Sequence, residues 1–238
     1  LLLEKEERNR YKSCGGGISI NTANLLGDIP AERVERIGRI EIKSRKSHYL
    51  NLDENLYSGR TGYMVYRTAF DQWLRDRAER KGVHVLHEAE VRDVERSVDY
   101  VKVILRDGEH FKGNAFIVAA GMNAPFLKTL GLEVSRGLLA VQKEYYLNEE
   151  LVDERFGEFG VLSFDSVNYS GHGYAWAFPK REGVTVGIGD NAIYGSELID
   201  RLERYVKRDP YVSEKLAGVK ETEINGVHLS AYMVPNEI

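Results

Sequence analysis

Cysteine is nearly absent from this sequence: a single residue, Cys14, stands among 238. One cysteine cannot form an internal disulfide, and its scarcity favours a reducing compartment. No apolar run reaches the roughly 20 residues that a membrane-spanning helix needs. No secretory signal is visible, because the three leucines at positions 1–3 are followed at once by charged residues. These absences predict a cytoplasmic protein.

Metal-binding patterns and basic clusters are lacking too. The six histidines are scattered without the spacing of metal ligands, so we expect no metal site. The net charge is −4, and no basic stripe with interleaved aromatic residues is present, which argues against nucleic acid as a partner. No Ser-His-Asp order is present either. A protein whose cofactor carries the chemistry does not need such a constellation.

The pattern of apolar residues changes along the chain. In the first half, strand-like runs alternate with helical ones; residues 68–81 predict a helix, and the apolar run 115–120 predicts a strand covered on both faces. After Gly131, strand-like runs dominate, with one helix at 196–207. We therefore predict an α/β fold that becomes α+β in its second half, with consecutive strands forming an antiparallel sheet. The strand-like runs of the second half are 138–147, 160–164, 174–178, 184–188 and 227–233.

Three short segments could contact a nucleotide cofactor. In dinucleotide-binding folds an acid such as Glu4, at a strand end, hydrogen-bonds the ribose; a solvated strand end is the plainer interpretation. The glycines after Cys14 allow a close backbone approach and suit a phosphate or a flavin edge, although a flexible turn would also contain them. Arg67, before the predicted helix, can reach a pyrophosphate or simply lie on the surface.

Aromatic residues alternate with small ones in a segment of the second half. Tyr174, Trp176 and Phe178 share one face if the segment is a strand, and Pro179 is expected to end that strand. Gly187-Ile188-Gly189 follows shortly afterwards. Such a face could wall an apolar cavity, and it could equally be plain sheet core.

Together these segments resemble the geranylgeranyl reductase family of FAD-dependent oxidoreductases, within the para-hydroxybenzoate hydroxylase-like fold. The resemblance covers nearly the whole chain. Residues 12–17 are similar to the family's K-x-C-G-G-G loop, and residues 65–74 to its V-x-R-x-x-F-D-x-W-L segment. Residues 174–189 fit its pattern Y-x-W-x-F-P, seven or eight residues, then G-x-G, which is the most specific of the three.

The resemblance implies roles for individual residues. Cys14 would lie near the reaction, as a proton source or as a shaper of the cavity. Ala120-Gly121 stands where many relatives in the wider fold carry Asp-Gly, and these two residues are assigned to the cofactor. The FAD contacts would be Glu4 at the ribose, Cys14, Gly15 and Gly17 on the flavin side, Arg67, Val91 through its backbone at the adenine, Ala120 and Gly121. The substrate contacts would be Tyr174, Trp176, Phe178, Gly187 and Gly189.

The same resemblance implies a domain plan. Residues 1–135 would form a partial FAD/NAD(P)-binding, Rossmann-like domain whose glycine-rich turn precedes residue 1. Residues 136–238 would form an antiparallel-sheet substrate domain that stops before the last FAD motif. We therefore expect the printed chain to be an internal fragment that is inactive alone and binds FAD weakly.

The implied activity is FAD-dependent reduction of carbon–carbon double bonds in a polyprenyl (geranylgeranyl) lipid or a chlorophyll-type tail. The electron donor would be NAD(P)H or ferredoxin, and the protein would be cytoplasmic with peripheral contact to a membrane. Two alternatives stay open: a flavin monooxygenase of the same fold acting on an aromatic ring, and a non-catalytic domain that binds an isoprenoid or a nucleotide.

Overall fold

The structure, a computed structural model, describes residues 1–27, 29–44, 50–51, 62–132, 137–164, 173–220 and 225–229. Its strands in chain order are β1 Leu2–Leu3, β2 Gly17–Ser19, β3 Arg36–Ser44, β4 Leu50–Asn51, β5 Gly62–Met64, β6 Val85–Leu86, β7 Val91–Arg96, β8 Val101–Leu105, β9 His110–Gly113, β10 Leu138–Tyr146, β11 Phe159–Phe164, β12 Tyr174–Lys180, β13 Gly183–Asn191 and β14 Asn225–Leu229. Its α-helices are α1 Ile20–Leu26, α2 Arg67–Arg80, α3 Glu149–Arg155, α4 Leu198–Arg208 and α5 Pro210–Lys215. Among the described residues, none of these helices is long and apolar enough to cross a bilayer.

The chain divides into two compact units that do not follow chain order. Unit 1 contains residues 1–10, 71–137 and 229–238, and unit 2 contains residues 11–70 and 138–228. The loop that carries Cys14 therefore belongs to the same unit as the later strands. The sequence pattern does not indicate this grouping, because it depends on contacts between distant segments.

Unit 1 contains two small sheets. Strand β1 pairs in parallel with β6, and strands β7, β8 and β9 form an antiparallel meander. A short 3₁₀ helix at Pro125–Leu127 packs Phe126 and Leu127 against Val94 of the meander. Buried apolar side chains thus join the meander to the segment after it.

The apolar run 115–120 differs from its prediction. It forms no strand in the described structure: Phe116 packs near Phe126, with ring centroids 5.8 Å apart, whereas Ile117 is 87% exposed. A strand needs a hydrogen-bonding neighbour along its length, and the described part of the chain places none beside this run. The predicted buried strand is therefore wrong for the described structure, although the run is apolar enough for one.

Unit 2 is built on one large sheet. Its strand order is β14-β10-β13-β12-β11-β3-β5-β2, with β4 beside β3. The predicted antiparallel pairing is confirmed for β10 with β13, β13 with β12, and β12 with β11. Strand β3 comes from the first half of the chain and joins in parallel beside β11.

The two faces of this sheet have different coverings. Ala175, Ala177, Val186 and Ile188 point to one face, where helices α3, α4 and α5 bury them in the main apolar core. The opposite face carries Trp176, Phe178, Ala140 and Met64 in a smaller cluster, which we call the aromatic face. The alternation in β12 therefore places its small residues on the face covered by helices and its aromatic residues on the opposite face.

The hairpin of β12 and β13 explains the spacing of the two glycines after the aromatic run. Its register pairs Trp176 with Gly187 and Tyr174 with Gly189. A Cβ atom on Gly187 would lie 2.1 Å from Cζ2 of Trp176, so the indole ring covers this glycine directly. Pro179 does not end the strand as predicted, because β12 continues to Lys180 before a two-residue turn.

We expect Gly187→Ala to destabilise the protein and to displace the Trp176 ring. The added methyl group would overlap the indole, and overpacking of this kind costs about 1–3 kcal/mol. Denaturant unfolding followed by tryptophan fluorescence measures both effects. Gly189→Ala is the matched control, since its Cβ would lie 3.6 Å from its nearest neighbour, Cβ of Ala140. Equal stabilities of the two variants would contradict this packing.

Candidate active site

The loop at residues 14–17, which we call the glycine loop, lies directly on the aromatic face. A Cβ atom on Gly15 would lie 2.8 Å from Nε1 of Trp176 and 3.1 Å from Cδ2 of Phe178. A Cβ atom on Gly17 would lie 3.0 Å from Cε2 of Phe178. The absence of side chains on these glycines therefore allows the backbone to touch the rings.

Gly16 is fixed by a second set of contacts. Its φ of +79° lies in the left-handed region that glycine adopts most readily. The N–H of Val65 donates to its carbonyl at 2.9 Å, and a Cβ atom on it would lie 2.0 Å from the Val65 carbonyl oxygen. Val65 stands two residues before Arg67, the half-buried first residue of α2, so the structure brings the start of this helix next to the glycine loop.

Lys180 lies beneath the glycine loop at the end of β12. Its side chain is buried, and its ammonium donates to the carbonyl of Gly15 at 3.1 Å and to Oγ1 of Thr185. The Nζ atom also lies 5.0 Å from the ring centroid of Tyr66. Burial lowers the pKa of Lys180 to about 8, while Glu144, Cys14 and Glu35 act in the opposite direction.

A polar network continues from Lys180 along the same face. The Tyr11 hydroxyl donates to Oε1 of Glu144 at 3.0 Å and accepts from Nε2 of Gln142 at 3.3 Å. Burial raises the pKa of Tyr11 to about 12, with Glu144 adding to the shift. Burial also raises the pKa of Tyr66. This end of the face is therefore polar, and its burial favours the neutral forms of Lys180, Tyr11 and Tyr66.

The other end of the face is aromatic and open to solvent. Phe164 and Tyr174 lie on adjacent strands with ring centroids 5.7 Å apart and are 43% and 39% exposed. The Tyr174 ring is 5.8 Å from that of Trp176, which is only 6% exposed. Burial raises the pKa of the Tyr174 phenol, and half-buried Cys14 contributes in the same direction. Cys14 directly precedes Gly15, which lies against Trp176. The three rings lead from the surface to the glycine loop.

Several polar groups at the glycine loop have no partner in the described part of the chain. Nε1 of Trp176 and Oγ of Ser13 are buried without a hydrogen bond. The backbone N–H groups of Cys14, Gly15 and Gly16 likewise donate to no acceptor among the described residues. Unpaired donors are costly, so the three backbone N–H groups can serve a bound molecule.

The remaining predicted FAD contacts belong to unit 1. The N–H of Glu4 donates to the Leu86 carbonyl, and the Glu4 carbonyl accepts from Ala89, both at 2.9 Å, close to the start of β7 at Val91. The Glu4 carboxylate accepts from Nε of Arg10 and from the N–H of Glu6, which leaves lone pairs for a ribose hydroxyl.

Two of the predicted contacts lie on an open stretch of unit 1. Ala120 and Gly121 are exposed, and Gly121 has a φ of +74° with nothing within 4 Å of an added Cβ. Their assignment to the cofactor stays a prediction. Unit 1 thus brings Glu4 and Val91 together, whereas unit 2 brings Cys14, Gly15 and Gly17 together with the aromatic row.

Sequence reasoning missed Lys180 and Phe164. Lys180 stands two residues after Phe178 and therefore points to the same face of β12 as the three aromatic residues. Extending the pattern by two residues would have found it. Phe164 carries no such signal, because its position opposite Tyr174 depends on the pairing of β11 with β12. Gly187 was predicted as a substrate contact, and the structure gives it a packing role under Trp176.

We expect the buried Lys180 to make stability rise with pH. The folded pKa is about 8 and the ordinary value 10.5, so between these values only the unfolded chain holds the proton. The cost of burying the charge is present in full below pH 8 and is relieved as pH rises, by about 2–3 kcal/mol up to about pH 10. The tyrosines oppose this only above about pH 10.

The check is urea unfolding of the wild type and of Lys180→Met at about pH 8 and about pH 10. The methionine variant should lose the rise, because it carries no ionisable group at this position. Identical pH dependence in the two proteins would show that folding does not lower the pKa of Lys180.

Comparison with known proteins fits this geometry. A family model described as FAD dependent oxidoreductase matches residues 17–218. A digeranylgeranylglycerophospholipid reductase of Methanocaldococcus jannaschii is 33% identical over 134 residues, 54% of this chain and 33% of that protein. Digeranylgeranylglycerophospholipid reductase 1 of Methanopyrus kandleri is 30% identical over 247 residues, 95% of this chain and 61% of that protein.

A solved structure shares the fold. The geranylgeranyl bacteriochlorophyll reductase-like protein of Thermoplasma acidophilum superposes with a TM-score of 0.76 at 21% identity, over 99% of this chain and 61% of that one. The chain thus spans between a third and about three fifths of the length of these curated relatives. The names of these relatives agree with the resemblance found in the sequence. Because the family model covers most of its length, the chain belongs to the FAD-dependent oxidoreductase family.

Proposed function

We propose that the protein uses FAD to reduce carbon–carbon double bonds in a polyprenyl lipid. The observation that carries this proposal is the row Phe164, Tyr174 and Trp176, which leads from an exposed aromatic surface to the glycine loop. An unsubstituted isoprenoid chain offers only apolar surface, and such a row can bury it. The reductase names of the relatives support the same substrate class.

The glycine loop fits a flavin ring. Three consecutive backbone N–H groups, from Cys14 to Gly16, have no acceptor in the described structure, and a flavin edge carries carbonyl oxygens and ring nitrogens that can accept. The orphaned Nε1–H of Trp176 lies against Gly15. Glu4 retains lone pairs for the ribose, and Arg67 stands at the first turn of α2, where a planar cation can hold a pyrophosphate.

An isolated double bond has no polar group for the protein to polarise. When bound in its reduced form, FAD supplies a hydride for one alkene carbon. The residues of the aromatic row must hold the chain in place and exclude water. The other carbon needs a proton, and we assign its delivery to the half-buried thiol of Cys14, which directly precedes Gly15 where the glycine loop lies against Trp176.

The electron donor and the cell location belong to the same proposal. A reductase must have its flavin reduced again in each cycle, and NAD(P)H or ferredoxin would supply the electrons. A polyprenyl lipid resides in a membrane, so we propose a cytoplasmic protein with peripheral membrane contact.

Product analysis tests the proposed activity. The whole protein, loaded with flavin, is reduced with dithionite, which removes the need for a physiological donor, and is given a geranylgeranyl lipid without oxygen. Each reduced double bond adds two hydrogens, which mass spectrometry detects in the extracted lipid. Hydroxylation of an aromatic substrate with oxygen and NAD(P)H, and an unchanged lipid, would instead assign the protein to the monooxygenases. Failure to retain flavin would leave only a binding domain.

We expect Trp176→Ala to reduce turnover far more than flavin occupancy. Loss of the ring opens space beside the glycine loop and admits water, and truncation of a packed tryptophan costs about 3–5 kcal/mol of stability. Phe164→Ala should raise KM and so lower kcat/KM. It should cost little stability, because that ring is partly exposed. Steady-state kinetics, flavin occupancy and the melting temperature are measured on the same preparations.

The matched control is Tyr146→Ala. Tyr146 is an aromatic residue of the same sheet, 61% exposed and at the far end of β10. Its removal should change neither KM nor flavin occupancy. A Phe164→Ala protein with the KM of this control would remove the aromatic row from the substrate path.

A further inference from the structure

Lys180 is unusual because its charge is buried without an anionic partner. The side chain is 1% exposed, and the ammonium contacts a backbone carbonyl, a hydroxyl and an aromatic ring. No ion pair to it is formed by the described residues. Burying a charge is costly unless the geometry compensates for it, and an apolar side chain of the same length would fill this position at less cost.

The bond from Lys180 fixes the orientation of one peptide unit. The carbonyl of Gly15 and the N–H of Gly16 belong to the same planar trans peptide, in which the two groups point in opposite directions. Because the carbonyl points down to Lys180, the N–H points away from the sheet. It has no acceptor in the described structure. A cation at the carbonyl also polarises the peptide and makes its N–H a stronger donor.

We propose that Lys180 is a positioning residue of the flavin site, which holds the Gly15 carbonyl from below so that the Gly16 N–H is directed at the bound flavin. The inference rests on the flavin-facing role proposed for the glycine loop. Its first half, that Lys180 fixes the loop, concerns this chain alone and is testable without cofactor. Its second half, that the fixed peptide serves the flavin, has a separate measurement.

Cys14 supplies the probe for the first half. It is the only cysteine in this sequence and directly precedes Gly15. In the apoprotein, Lys180→Met should raise the rate of Cys14 alkylation about tenfold and should speed hydrogen exchange at residues 14–17. Peptide mass spectrometry locates both changes, and denaturant unfolding shows whether the variant is folded. Unchanged protection of the loop would overturn the proposal.

Lys143→Met is the matched control. Lys143 is also buried in the same sheet, but it lies on the helix-covered face and pairs with Glu203 of α4. Its replacement should lower stability by removing the ion pair with Glu203, and should leave the alkylation rate of Cys14 unchanged. If both variants loosen the glycine loop equally, the effect is general destabilisation and the assignment to Lys180 fails.

The second half is measured on the whole protein by FAD titration and by the visible spectrum of bound flavin. Lys180→Met should weaken FAD binding about tenfold, which corresponds to about 1.4 kcal/mol, and should shift the flavin absorption bands. Lys180→Gln keeps an N–H donor and should recover part of both loop protection and affinity.

The two halves fail in different ways. A loosened loop with wild-type FAD affinity and spectrum would overturn the role toward the flavin while leaving Lys180 as a loop anchor. Loss of both, with no recovery in Lys180→Gln, would show that loss of packing is responsible and not loss of a donor. The lipid reduction described above can still be observed in the wild type under either result, so failure of this inference is distinguishable from failure of the proposed function.

Discussion

The contact of a bare backbone with one face of a sheet is the constraint on which the site depends. Residues 14–17 can rest on Trp176 and Phe178 only because Gly15 and Gly17 carry no side chains. Gly16 meets the same constraint from the other side, where the carbonyl of Val65 occupies the space of a Cβ. The glycine loop, strand β12 and the start of α2 can therefore lie in contact because these glycines carry no side chains.

The aromatic face differs between its two ends, which lie on either side of that contact. At one end, Lys180 is buried and donates to Thr185, and Tyr11 bonds to Glu144 and Gln142. At the other end, Phe164 and Tyr174 are partly exposed. The two ends of the face therefore differ in polarity, and the glycine loop lies between them.

The sequence alone predicted the pieces that depend on local pattern. The alternation at Tyr174, Trp176 and Phe178 placed three rings on one face, and the antiparallel pairing of the later strands followed from their consecutive order. It could not reveal that β3 lies beside β11, or that residues 11–70 group with residues 138–228, since these contacts join distant segments. The strand predicted at residues 115–120 was wrong for a related reason. An apolar pattern indicates that side chains can be buried, but it does not show whether a hydrogen-bonding neighbour is present.

Register gives the family pattern a physical meaning. A two-residue turn after Lys180 pairs Trp176 with Gly187 and Tyr174 with Gly189, so the length between the aromatic run and the two glycines is set by the hairpin. Gly187 can carry no side chain because the indole of Trp176 lies directly over it. The other side of the indole is in contact with Gly15 of the glycine loop. A side chain at Gly187 would push the ring toward the loop, and a side chain at Gly15 would push it back. The pattern thus describes how the glycine loop, β12 and β13 pack around Trp176. The position of Cys14 depends on that packing.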